Sequence, residues 1–363
     1  MARFRTRARQ VGGALAAPWR ALRDRWRAWS RWRRTLLVLA LAAAVPVAAL
    51  GSLFVAIRLH YTGEPAPEAR TRGRDAVWLG HAWVDGRKTD ADVAALVRQL
   101  AGTGVHDLYV HTGPLEHDGS LPPSVHPAAR WFTGAVHAAL PEIRLQGWLG
   151  DEVKPEKDAL DLDDAPTRDR VTASARQVLD LGFDGVHFDM EPIRPGTAGW
   201  LTLLDQVHPV TAALGARLSV AAPQIDPVPG LHTAGILLSG HGKWWDRAYF
   251  AETARRVDQI AVMTYDSSMP TEPLFGGYAA LQTELALEAT PPDVDLLMGL
   301  PFFWDDKWGH WGDAETVSAA VRGVRLGLSR EDPERRNFGV ALYVDFAATP
   351  EHWAAYRRGW VEV

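Results

Sequence analysis

His187, Asp189 and Glu191 stand two residues apart in GFDGVHFDMEP, residues 182 to 192. Side chains alternate faces along a strand, so these three would share one side while Val186, Phe188 and Met190 take the other. Pro192 cannot donate to a ladder, which predicts that the strand stops there with Glu191 at its open end. Two carboxylates held close repel when both are ionised, so one pKa rises and a proton is shared. A Glu kept protonated near neutral pH is a general acid. Glycoside hydrolysis needs such an acid on the leaving oxygen. The competing reading is an ion-pair cluster that closes the floor of a barrel. An inward His–Asp–Glu face is costly to bury without a use.

The elements that would position these groups recur along the chain. Short apolar runs begin near Ala76, Asp107, Ile143, Gly185, Arg217, Gln259, Leu296 and Gly339. Between most of them lie stretches of helical period. One places Val93, Leu96, Val97 and Leu100 on one face; another does the same with Val171, Ala175, Val178 and Leu179. Eight strand–helix units predict an α/β fold, a parallel (β/α)8 TIM barrel. A doubly wound sheet would carry a Gly-rich turn after its first strand, and WLGHAWVDG is not one. In a barrel, chemistry belongs at the C-terminal strand ends. There the sequence sets Trp148 and Asp151, Gln224, Tyr265 and Asp266, Trp304, then Tyr343 and Asp345.

DGVHFDME resembles the Asp–Gly–x–Asp–x–Asp–x–Glu signature of family-18 glycoside hydrolases, the chitinase-like barrels. VMTYD, Val262 to Asp266, resembles the family's Met–x–Tyr–Asp on the sixth strand. The resemblance covers about residues 76–350 in architecture, and these two motifs in detail. It implies that Glu191 is the acid/base, that Asp189 stabilises an oxazolinium intermediate, and that Tyr265 bonds the acetamido carbonyl. Met263 and Asp266 would line the pocket, and Asp184 would be structural. It also implies substrate-assisted, retaining cleavage of β-linked N-acetylglucosamine-containing glycans, with no metal and no cofactor.

Two departures bear on activity. The family's middle Asp is His187 here, which removes one carboxylate; a neutral His187 can still hydrogen-bond Asp189, and a protonated one would hold Asp189 ionised and raise the cost of passing the proton. The family's eighth strand often ends in a Trp, where this chain has LYVDF, so Tyr343 is the expected substitute. Trp148, Trp304 and Trp308 are further candidates for stacking on sugar. The gap between the seventh and eighth runs holds one helical stretch, which predicts an open, shallow cleft. Other readings are a lysozyme-like barrel, a silent sugar-binding barrel, and a metal-dependent amidohydrolase built on His81, His106, His111 and His187. No His-x-His ends the first strand, which weighs against the last.

The chain of 363 residues has no Cys, which excludes disulfides and thiol chemistry, and 16 Trp. Eleven of its 39 Lys and Arg precede residue 35, against a single acid there, Asp24, so a basic tail adjoins an acidic body. Thr35 to Ile57 carries no charge. About 20 apolar residues suffice for a membrane span. The Arg-rich flank would hold the N-terminus in the cytoplasm, and Trp19, Trp26, Trp29 and Trp32 suit an interfacial segment. A cleaved signal peptide has a shorter apolar region, about 7–15 residues. The expected organisation is a tail over 1–34, a transmembrane helix over 35–57, a linker over 58–75 and a barrel over 76–363. That places a single-pass protein in the cell membrane with its barrel outside. A glycan is the expected partner, and nucleic acid is not.

Overall fold

The computed structural model describes Trp26 and residues 29–363, apart from residues 241 and 308. The Arg-rich tail before residue 29, Trp19 with it, and Trp308 lie outside the described residues. The chain divides into two compact units, Met1–Ala56 and Ile57–Val363. Helix α1, Arg31–Leu59, has the length and composition to cross a membrane, a test that a signal sequence also passes.

The second unit is built on a closed, all-parallel eight-stranded barrel. Its strands are β1 (Asp75–Leu79), β2 (Val105–Pro114), β3 (Arg144–Glu152) and β4 (Gly185–Glu191), followed by β5 (Arg217–Ala222), β6 (Gln259–Val262), β7 (Asp295–Pro301) and β8 (Phe338–Tyr343). Each strand pairs with its neighbours in sequence, and β1 closes the ring on β8 through Ala76 and Ala341. All eight expected strands are present.

The helices follow the sequence pattern for physical reasons. Asp90–Leu100 buries Val93, Leu96 and Leu100, and the Asp92 carboxylate reaches back to the Thr89 amide at its start. Ala165–Asp180 buries Val171, Ala175 and Val178, and Asp164 caps the amide of Thr167. Glu272–Ala289 and Val317–Glu331 approach to backbone contact. A Cβ at Gly323 would lie 2.1 Å from the Gly276 carbonyl oxygen, so only glycine permits that packing.

Two apolar shells result. The larger lies between strands and helices and takes Val186, Phe188 and Met190 from β4. The smaller fills the barrel interior with Ala76, Trp78, Tyr109, Ala221, Ala261 and Leu297. Beneath it the floor is polar. Arg144 grips Asp107 through two bonds of 2.8 and 2.7 Å, and Gln146 joins Asp107 to Gln259 at 2.8 Å each. The ion-pair cluster that closes the floor is therefore built from these residues and not from β4's polar face.

The stretch expected as a linker is held along the barrel. Arg58 and Leu59 complete α1, Ala69 is fully buried, and the Thr71 amide donates to the Trp360 carbonyl. Arg72 donates to the carbonyls of Pro333 and Arg335. The barrel's first strand then begins at Asp75, one residue before the expected boundary.

The connection after β7 carries only a hairpin of two-residue strands, Asp306–Lys307 with His310–Trp311, before the helix from Val317. No folded insertion rises there among the described residues.

Candidate active site

The polar face of β4 climbs from the interior to the mouth. His187 is fully buried, Asp189 is partly accessible and Glu191 opens into a cleft of 710 Å³. That volume lies within the roughly 300–1,000 Å³ of small-ligand pockets and suits a few sugar rings. Register places Gly150 of β3 beside Asp189 and Glu152 beside Glu191. Glycine at 150 matters here, since a Cβ would meet the Asp189 carbonyl oxygen at 2.7 Å.

Asp189 and Glu191 both hold their protons more tightly than ordinary carboxylates. Burial raises Asp189, and a bond from the Trp148 indole partly offsets it. Burial raises Glu191 further, with the charges of Asp189 and Asp266 adding to it. Glu191 stays reachable from the cleft, but protein encloses its carboxyl on most sides. Asp189 Oδ1 and the Tyr265 hydroxyl are buried polar atoms with no partner among the described residues. Buried polar groups are rarely left unpaired, so both are free to meet a ligand. Such a set can protonate a leaving oxygen and hold a polar substituent beside it.

The other candidates fall into three groups. Met263, Tyr265, Asp266 and Tyr343 line the cleft with Asp189 and Glu191. Tyr343 stacks on Tyr265 at 5.0 Å and 20°, which makes the two rings one wall. Gln224 and Trp304 also reach the cleft. Gln224 donates to the Tyr265 carbonyl at 2.6 Å and accepts from Tyr278, so its amide is spent on holding the loop. Trp304 is 64% exposed, and its ring N–H reaches Asp313. Trp148 supports Asp189 from below and does not line the cleft.

His187 departs from expectation. Its Nε2 accepts from the Trp78 indole at 3.1 Å, and its Nδ1 faces Ser219 Oγ at 2.8 Å. Because an indole N–H only donates, Nε2 is bare and the proton sits on Nδ1. The ring stacks on Tyr109 at 3.8 Å and 11°. Burial lowers its pKa to about 3, so it is neutral. Both ring nitrogens are taken, so His187 makes no hydrogen bond to Asp189 and touches no cleft. It is a core residue one layer beneath the site.

Asp151 accepts from His117, and Asp345 accepts from the Gly80 amide and the Trp83 indole; both are structural. Asp184 sits at the foot of β4, bonded to the Leu145 amide and to His137. The four amidohydrolase histidines do not converge. His81 and His111 pair at the barrel mouth, His187 is interior, and His106 lies beside floor residue Asp107. A second hollow of 610 Å³, lined by His106, His137, Arg144, Asp184 and Arg217, opens at the floor end, away from the carboxylate pair.

One part of the site carries no sequence motif. His310, on the hairpin after β7, is buried and places Nδ1 2.9 Å from Asp266 Oδ1 and 3.2 Å from Glu315 Oε2. Burial alone would lower its pKa, but bonds to Asp266 and Glu315 and their charges raise it to about 9. Nitrogen and oxygen atoms of these three side chains lie within 4.8 Å of one another, the grouping among the described residues that comes nearest to a cation site. The ring nitrogen already contacts both carboxylates, so a proton fills the place a cation would need.

No family model and no curated protein sequence matches the chain. Solved structures do match in fold. The Bacillus cereus spore cortex-lytic enzyme SleL aligns with a TM-score of 0.55 at 12% identity, over 79% of this chain and 74% of its own. A class V chitinase from Pseudomonas fluorescens Pf-5 aligns at 0.52 and 13%, over 78% and 98%. The Ostrinia furnacalis Group IV chitinase aligns at 0.52 and 15%, over 78% and 98%. The likeness is one of fold: the chain shares the (β/α)8 barrel of these enzymes.

Proposed function

We propose that the barrel is a glycoside hydrolase that cleaves β-linked N-acetylglucosamine-containing glycans by substrate-assisted, retaining catalysis. The observation that carries this reading is the pairing of Asp189 and Glu191 on one face at the top of β4, opening into a cleft whose unpartnered groups include Asp189 Oδ1 and the Tyr265 hydroxyl. Glu191 gives its proton to the glycosidic oxygen as the bond to the anomeric carbon breaks. The substrate's own acetamido oxygen forms the new bond to that carbon, on the opposite side. Asp189, ionised, faces the acetamido N–H and stabilises the positive ring that results; Tyr265 donates to the acetamido group. Water then opens the ring, with Glu191 taking the proton back, and the configuration is retained. No resident metal or cofactor enters these steps.

The proposed setting is the outer face of the cytoplasmic membrane. Helix α1 is the anchor, the Arg-rich tail is its cytoplasmic end, and residues 76–363 are the extracytoplasmic domain, with cell-wall glycan as the partner. Fold neighbours described as chitinases and as a spore cortex-lytic enzyme support this choice of substrate class.

A second reading, a sugar-binding barrel without turnover, is favoured by His187, which interrupts the carboxylate series below Asp189. A release assay separates the two. The full-length protein in detergent is incubated with chito-oligosaccharides and with peptidoglycan, beside Glu191→Gln. Product from the wild type and none from the variant supports hydrolysis. Binding without product sinks it, and equal activity in both sinks the assignment of Glu191.

A further inference from the structure

We infer that His310, backed by Glu315, is a positioning residue that acts on the cleft through Asp266. It fixes the Asp266 carboxylate in place and balances the charge that carboxylate presents to Glu191. The inference rests on the hydrolase reading and adds a second tier to its site.

The geometry runs in one line from the core to the cleft. Glu315 is 1% exposed, and its Oε1 accepts from both the amide and the hydroxyl of Ser267 at 2.9 Å. Those bonds anchor Glu315 to the loop that carries Asp266. Its Oε2 lies 3.2 Å from His310 Nδ1, the same nitrogen that stands 2.9 Å from Asp266 Oδ1, so both carboxylates act on one ring atom. Phe303 stacks on the ring at 4.7 Å and 29°, so the imidazole has one orientation. Asp266 itself has a φ of 53°, in the left-handed region that Asp tolerates better than most residues. Its side chain is 46% exposed, toward the cleft, while His310 behind it is wholly covered. A carboxylate on so exposed a turn would sample several rotamers; a bond from a stacked, buried ring selects one.

On the hairpin itself Lys307 pairs with His310, its ammonium 5.8 Å over the Phe303 ring and 3.3 Å from Asp305. Asp189 and Asp266 face Glu191, and the Tyr265 and Tyr343 hydroxyls lie nearby. Asp266 and Glu315 face His310. The Lys243 ammonium approaches from the loop before the helix at Arg247, bonding Ser268 at 3.2 Å, and its charge reaches both Asp266 and Glu315. Two carboxylates against one ring nitrogen favour the charged imidazole, which screens Asp266 as seen from Glu191.

The test is a double-mutant cycle on the full-length protein in detergent, with His310→Asn, Asp266→Asn and both together. Two readouts are taken: kcat and KM on chito-oligosaccharides, and the pH midpoint for carbodiimide labelling of Glu191, read by peptide mass spectrometry. Labelling needs a protonated carboxyl and no turnover, so it reports on the relay even if the hydrolase reading fails. His310→Asn is expected to lower kcat/KM by about 10–100-fold, and to cost less than about twofold once Asp266 is Asn. It should raise the Glu191 midpoint by roughly 0.5–1 pH where Asp266 is present, and leave it in place in the Asp266→Asn background. Equal costs in both backgrounds, or a midpoint that ignores His310, would overturn the inference. Glu315→Gln supplies a second route should His310→Asn fold poorly; its loss of kcat/KM must likewise vanish when Asp266 is Asn. Chelator-sensitive activity restored by zinc would also overturn the inference, because the three residues would then be ligands.

Discussion

The indole N–H of Trp78 donates to Nε2 of His187 across 3.1 Å, tying β1 to β4 through the middle of the barrel. That bond fixes the tautomer of His187 and turns its other nitrogen toward Ser219 on β5. A residue that the spacing places in a catalytic series is thereby committed to the core.

The burial of His187 makes the fold sensitive to acid. With a folded pKa of about 3 against an ordinary 6.5, the unfolded chain binds the His187 proton first. Stability from this group is complete above pH 6.5 and is lost as pH falls from there toward 3. One pH unit of difference is about 1.4 kcal/mol, so the loss is of order 3–5 kcal/mol. Thermal melts of wild type and His187→Asn across pH 3.5–7 check this: the wild type should lose Tm faster on acidification.

Tyr265→Phe removes a hydroxyl that no group among the described residues uses. Tm should stay within a degree or two while kcat falls by about 10²-fold, the usual cost of one donor aimed at a reacting group. A large fall in Tm would mean that the hydroxyl is structural.

The alkaline limb of kcat reports loss of the Glu191 proton. Burial, Asp189 and Asp266 all raise its pKa, so the limb should lie above neutrality. Asp189→Asn removes a neighbouring negative charge and should shift the limb to lower pH, along with reduced kcat. A limb that stays put in Asp189→Asn would show that the two carboxylates do not interact.

Trp304→Ala should raise KM by about 2–10-fold with kcat and Tm unchanged, since the ring is largely exposed and stacks on no aromatic among the described residues. Steady-state kinetics on oligosaccharides of increasing length give the answer, and an unchanged KM removes Trp304 from the subsites.

Asp107→Asn tests the floor. The side chain is buried, but hydrogen bonds from His106, Arg144 and Gln146 together with the Arg144 charge hold its pKa near 2. Its stabilisation is present above the ordinary 3.8 and lost as pH falls toward 2. Breaking a buried pair on one side costs about 3–5 kcal/mol. Urea melts at pH 7 should show that loss, with unchanged activity in the molecules that remain folded.

The strands were legible because each pairs with its sequence neighbours and ends in polar or aromatic residues. The carboxylate pair was legible because alternation along one strand is a local rule. His187 was misread for the same reason: alternation says which side it faces, not how far below the mouth it lies. Its partners, Trp78 and Ser219, come from other strands, 109 and 32 residues away. His310 and Glu315 left no trace, since a hairpin of two-residue strands has no period. They meet Asp266 only when β6 and β7 lie side by side. The stretch before β1 read as a spacer from its Pro and Arg content, yet its arginine spends its donors on carbonyls more than 250 residues on.

The short hairpin after β7 governs more than the depth of the cleft. Without a tall wall on that side, a polymer can settle in sideways anywhere along its length and leave the same way. Nothing encircles the chain between one cleavage and the next. An enzyme of this shape would release its substrate after each cut, scattering breaks through a glycan mesh instead of running along one strand.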